Sequence, residues 1–118
     1  MSLLIVNAAS EDTIAGPGNR SPNYVVVSVT DSVGTPVTGL VQRDFQVQPI
    51  LRAPGGTLVN IEKFAESGAG LPGYYILYLV PVMTDVQTGT WKAGTYVFGV
   101  SVTRGTDRGQ NLASVLMD

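Results

Sequence analysis

Apolar and polar residues alternate every second position in several short stretches of this chain, and no stretch keeps a helical period between two caps. "NYVVVSVTD" (23–31) is rich in β-branched residues. Strand geometry sets Val25, Val27 and Val29 on one face and Tyr24, Val26, Ser28 and Thr30 on the other. The second face is the more polar, so the first is predicted to look into the core. "DFQVQPI" (44–50) points Phe45, Val47 and, just beyond it, Leu51 one way, with Gln46 and Gln48 opposite. "TLVNIEKFA" (57–65) sets Leu58, Asn60 and Glu62 against Val59, Ile61 and Lys63, and "TYVFGVSVT" (95–103) lines up Tyr96, Phe98, Val100 and Val102. "YYILYLVPV" (74–82) is the most apolar run and predicts a central strand. A first strand over 2–7 and a last one in "QNLASVLMD" (110–118) complete the set.

Between these runs lies turn chemistry. "SVGTP" follows Asp31 as a tight corner, with the Asp side chain placed to bond the backbone of its own turn. "APGG" (53–56) and "ESGAGLPG" (66–73) are loops, and "RGTDRG" (104–109) reads as a hairpin. "MTDVQTGTWKAG" (83–94) is a longer connection with room for a helical turn in its middle. Seven or eight short strands separated by Gly and Pro argue for one antiparallel β-sandwich, with a small closed barrel as the alternative. The 118 residues fit a single domain, 1–118. A short echo, Val27-Ser28-Val29-Thr30 against Val100-Ser101-Val102-Thr103, aligns two inward faces without establishing a repeat.

Composition narrows what the sandwich does. The net charge is −2, from seven basic and nine acidic residues, with no basic stripe to neutralise phosphates, so nucleic acid is not an expected partner. No run approaches the roughly 20 apolar residues of a membrane helix, and no insertion is expected. "MSLLIVNAAS" lacks the charged start and long apolar centre of a secretory signal. It reads as a strand behind an added Met-Ser-Leu leader. Cysteine is absent, which excludes disulfides and fits both the cytosol and many bacterial secreted proteins.

The run Asp31-Ser32-Val33-Gly34-Thr35-Pro36-Val37-Thr38-Gly39-Leu40, followed by Asp44-Phe45, resembles bacterial immunoglobulin-like modules. There a strand ends in Asp, a "G-x-P-V" corner follows, and "G-L" leads to a "D-F" strand. "LPGYYILYLVP" and "WKAGTYVFGVSV" are similar to the last core strands of such modules, where "G-x-Y" opens an inward-alternating strand. The resemblance covers residues 23 to about 104. It implies an immunoglobulin-like sandwich, an extracellular or cell-surface setting in a larger protein, and partners that are other protein domains of the same or a neighbouring chain. It carries no shared catalytic residues. The disulfide and strand Trp of antibody domains are missing, because Trp91 sits in a loop.

Candidate chemistry is sparse. Histidine is absent as well as cysteine, so nucleophilic triads lack their base and zinc lacks its usual ligands. Glu11-Asp12 is the only adjacent acidic pair, and an enzyme is not expected, nor any cofactor. For calcium, Glu11, Asp12 and Asn19 share one loop and Asp107 and Asn111 another, but the spacing is loose and solvated charges are favoured. "GPGNR" and "RGTDRG" lack the strand-to-helix setting of a phosphate cradle. Trp91 in its polar loop, with Tyr74, Tyr78 and Tyr24 on outward strand faces, forms the candidate ligand surface, a glycan being the chemistry such rings take. Tyrosines that merely cover the edge of a core are the commoner arrangement. Finally, "SLLIV" and "NLASVLM" are apolar and nearly uncharged edges, able to pair within the domain or with a neighbour.

Overall fold

The β-branched and aromatic runs form seven strands in the computed structural model, which describes residues 2–11, 15–68, 70–82 and 89–118. The strands are β1 (Ile5–Ser10), β2 (Asn23–Thr30), β3 (Phe45–Leu51), β4 (Val59–Glu66), β5 (Tyr74–Pro81), β6 (Gly94–Arg104) and β7 (Asp107–Met117). A single 3-10 turn, Gln42–Asp44, is the only helical piece among the described residues. Two antiparallel sheets result, one ordered β1-β2-β5-β4 and the other β3-β6-β7. Residues 83–88 of the 83–94 connection, which has room for a helical turn, lie outside the described residues.

The core sits between the sheets. Val25, Val27 and Val29 are fully covered on one side, and Tyr96, Phe98, Val100 and Val102 on the other, as their alternation predicts. Tyr75, Leu77 and Leu79 of β5 complete the middle. Phe45, Phe64 and Tyr75 form an aromatic cluster at one end, with ring centroids 5.1–5.6 Å apart.

Three faces depart from simple alternation. β3 slips register between Pro49 and Leu51, so Leu51 pairs with Val97 and stands exposed rather than facing the core. β4 slips between Ile61 and Lys63, which sends Lys63 outward opposite Tyr78 and turns Phe64 inward opposite Leu77. Each is a bulge, one extra residue that reverses the faces beyond it. The first strand also differs from the expected 2–7. It pairs with β2 from Ile5 to Ser10, while residues 2–4 leave that sheet and run parallel to the start of β7. There the Leu4 N–H donates to the Arg108 carbonyl (2.7 Å) and the Arg108 N–H to the Ser2 carbonyl (3.2 Å).

The corner after β2 is built as its residues dictate. The Asp31 Oδ1 accepts the N–H groups of Val33 and Thr35, both at 3.0 Å, and Gly34 adopts φ +90°, open to glycine without strain. Thr30 then bridges Pro36, so the chain folds back on itself before crossing to the second sheet. The β6–β7 hairpin closes through Gly105-Thr106, with Gly105 at φ +60° in the first central position of a two-residue turn. The Ser2 N–H donates to Asp107 Oδ1 at this end, and Met117 pairs with Gly94 at the other. The two ends of the described chain therefore lie at opposite ends of a body 44 × 28 × 23 Å.

Candidate interaction surface

Trp91 is not on the surface. It is 0% exposed, and its polar sequence neighbours are misleading because the loop that covers it lies 70 residues earlier. The indole Nε1 donates to the Ser21 carbonyl (2.8 Å), the Trp91 N–H to the Asn19 carbonyl (2.9 Å), and the Gly18 N–H to the Trp91 carbonyl (2.8 Å). Arg20 adds a bond from Nη1 to the Gly89 carbonyl. The ring packs edge-on against Tyr96, with centroids 5.2 Å apart, and near Phe98. Trp91 is thus the plug at one end of the core.

Tyr24, Tyr74 and Tyr78 do share the outward face of the four-stranded sheet. Tyr24 lies directly opposite Tyr78, their rings 4.8 Å apart and edge-on, with the Lys63 ammonium 5.3 Å from the Tyr78 ring centre. These two rings are half-buried against each other. Tyr74, the exposed one, sits four residues along β5 from Tyr78, roughly 13 Å at strand rise. The structure therefore brings together Tyr24 and Tyr78, sets Tyr74 apart, and removes Trp91.

The calcium candidates are divided similarly. Asp12 lies outside the described residues. The Glu11 N–H continues the strand pairing by donating to the Tyr24 carbonyl (2.8 Å). Asn19 Oδ1 accepts the N–H groups of Gly16 (3.2 Å) and Ser21 (3.1 Å), which holds its own loop in shape. In the other loop, Asp107 holds the Ser2 N–H and pairs with Arg104 at 3.4 Å, and Asn111 is bonded to the first strand. Among the described residues no three metal-ligating side chains converge.

Two buried polar groups were not expected. The Tyr75 hydroxyl donates to the Val37 carbonyl (2.7 Å) and accepts the Leu40 N–H (3.3 Å), pinning the β2–β3 connection onto the core. Burial pushes this phenol above its ordinary value; the Leu40 bond works the other way, and nearby Glu66 adds to the rise. Asn23, fully buried, donates to Ser10 Oγ (3.3 Å), while its Oδ1 finds no partner among the described residues. One ordered water is the ordinary way such an oxygen is satisfied.

The surface that stands out is the outer face of β3-β6-β7. The β3 bulge places both Ile50 and Leu51 outward, 63% and 52% exposed, and strand alternation places Leu112 and Leu116 outward on β7, 56% and 60% exposed. Gly99 lies between Ile50 and Leu112 and leaves a notch of about 390 Å³, into which Ile50 leans. Through Ser101 and Gln110 this notch continues into a groove of about 770 Å³, bordered by Leu3, Ile5 and Arg108. Four large apolar side chains therefore stand exposed on one face of a small sheet. Leu112 and Leu116 belong to the apolar edge that the sequence singles out; Ile50 and Leu51 escape it because the bulge after Pro49 reverses the face that strict alternation assigns. Comparison of the chain with protein-family models, curated proteins and solved structures gave no match.

Proposed function

We propose that this chain is a non-catalytic, immunoglobulin-like module that serves as a structural unit and docks another protein on its three-stranded sheet. The sheet orders β1-β2-β5-β4 and β3-β6-β7 correspond to the A-B-E-D and C-F-G orders of immunoglobulin constant-type domains. Tyr96, near the start of the sixth strand, accepts the backbone N–H of Lys92 four residues upstream (3.0 Å), as in the tyrosine corner of such domains. Phe98 stands two residues further on, where antibody domains carry a cysteine, and packs against Trp91 instead. The likeness of residues 31–45 to bacterial surface modules favours an extracytoplasmic setting within a larger protein.

The observation that carries the docking role is the exposure of Ile50, Leu51, Leu112 and Leu116 on one sheet face whose opposite side is fully packed. The glycan reading rests on Tyr74 alone, since Tyr24 and Tyr78 are engaged with each other. A photo-crosslinking residue placed at Leu112 and, as control, at Val33 in the source organism tests the proposal. Protein adducts at Leu112 and none at Val33 are expected; no adduct at either site removes the docking role.

A further inference from the structure

The outer face of the three-stranded sheet is shaped as a trough. Its floor is β6, where Gly99, Ser101 and Thr103 alternate with the buried Phe98, Val100 and Val102 and so face outward with little bulk. Register sets the walls. Gln48 and Gln46 of β3 lie opposite Gly99 and Ser101 on one side, and Leu112 and Gln110 of β7 lie opposite the same two residues on the other. Residues 2–4 run beside the start of β7 and close that side. The Gly99 notch, walled by Ile50 and Leu112, stands at one end, and Arg108 lies opposite Thr103 at the other.

The polar groups of the trough are unspent. The side-chain amides of Gln46, Gln48 and Gln110 and the Arg108 guanidinium form no hydrogen bond or ion pair among the described residues. The nearby carboxylates are occupied: Asp107 holds Arg104 and the Ser2 N–H, and Asp44 Oδ2 accepts the Val41 N–H. A carboxamide both donates and accepts, so it can pair with the N–H and C=O of a peptide backbone. An extended chain offers such groups sideways every second residue, about 6.8 Å apart. Gln46 and Gln48 stand at that same repeat because they belong to a strand themselves. The aromatic residues of this sheet, Phe45, Tyr96 and Phe98, all face the core, so the trough offers a sugar no ring to stack on.

Building on the interaction-module reading, we infer that the docked element is an extended peptide segment of the partner, laid along β6 with a large aliphatic side chain in the Gly99 notch and an acidic one at Arg108. Each wall stands one strand spacing, about 4.8 Å, to the side of β6, so the glutamine amides flank the backbone of a chain lying over it. Every second side chain of that chain points at the floor. The notch residue, a small residue over Ser101 and the acid over Thr103 therefore follow at alternate positions, and the two anchors lie four residues apart. That spacing, roughly 13 Å, is the one between Gly99 and Thr103. The amides read the backbone and tolerate any sequence, while the two ends set the specificity: a charge-assisted pair at Arg108, and apolar cover for Ile50 and Leu112.

Selection of a phage-displayed library of random linear peptides on the full chain tests this. Bound peptides are expected to converge on Leu, Ile or Met four positions from Asp or Glu. With a labelled peptide of that kind, fluorescence anisotropy is expected to show binding weakened about tenfold or more by Arg108→Gln. Gly99→Val fills the notch, its Cβ pressing only on the exposed tip of Ile50 (3.2 Å), and is expected to weaken binding about tenfold. Lys63→Gln, the same charge change on the other sheet, is expected to bind like the parent. The buried Trp91 emission reports folding, and if one trough variant fails to fold, the other decides. A selection without the paired anchors, or binding undiminished in a folded trough variant, overturns the inference. Protein adducts at Leu112 alongside either result would leave the docking role standing, with a folded surface of the partner in place of the extended segment.

Discussion

The phenol oxygen of Tyr96 accepts the Lys92 N–H at 3.0 Å, and Tyr96 itself packs edge-on to Trp91, so one residue ties the connection before β6 to the plug of the core. Tyr96→Phe keeps the ring and strands a part-buried donor. A loss of about 1–2 kcal/mol in urea unfolding is expected. An unchanged midpoint would mean that the bond is ornamental.

Trp91 is the only tryptophan and reports its own burial. Its emission is expected to be blue-shifted and poorly quenched by acrylamide in the folded protein, and to move red in one step with denaturant. Trp91→Ala, which also removes the indole bond to the Ser21 carbonyl, is expected to cost about 3–5 kcal/mol.

Tyr75→Phe leaves the Val37 carbonyl and Leu40 N–H without their buried partner, an expected loss of about 1–3 kcal/mol near neutral pH. The pH dependence follows from the raised phenol. Its proton is held more tightly in the folded than in the unfolded chain, so the contribution is complete below the ordinary tyrosine value of 10.0. It is lost as the pH climbs through the folded-state value. The stability gap between the parent and Tyr75→Phe should therefore narrow above about pH 10 in urea titrations.

Gly109 lets the first residues lie against β7: a Cβ there would fall 2.2 Å from the Leu4 carbonyl oxygen, backbone that cannot swing aside. Gly109→Ala is expected to detach residues 2–4, raising amide hydrogen exchange at Leu4 and Arg108. The buried Leu4 side chain would be lost from the core with them, at a cost of about 1.5–3 kcal/mol. Protected amides at both positions would show that residues 2–4 stay docked and that the glycine is not required there.

The inner faces of β2 and β6 were legible because Val25 to Val29 and Tyr96 to Val102 alternate without interruption, and alternation is what one buried sheet face demands. Leu51 and Lys63 were misjudged where a bulge adds a residue; Pro49, awkward inside a strand, was the one available warning. Trp91 was misjudged because its partners, Ser21 and Asn19, are remote in sequence. Of the candidate ligand residues, only Tyr24 and Tyr78 meet, since cross-strand register is set by pairing partners that no single strand encodes. The apolar last strand was visible as an edge, but its exposure on the outer face depends on the sheet to which it belongs.

The central claim is a division of labour within one sheet: the inner face of β3-β6-β7 holds the fold and the outer face is free for a partner. Urea unfolding of a Leu51→Lys, Leu112→Lys double variant, at concentrations where the parent sediments as a monomer, tests it most directly. Because both leucines are more than half exposed, the account predicts a stability within about 1 kcal/mol of the parent. A loss of several kcal/mol would place these residues in the service of folding and contradict the account.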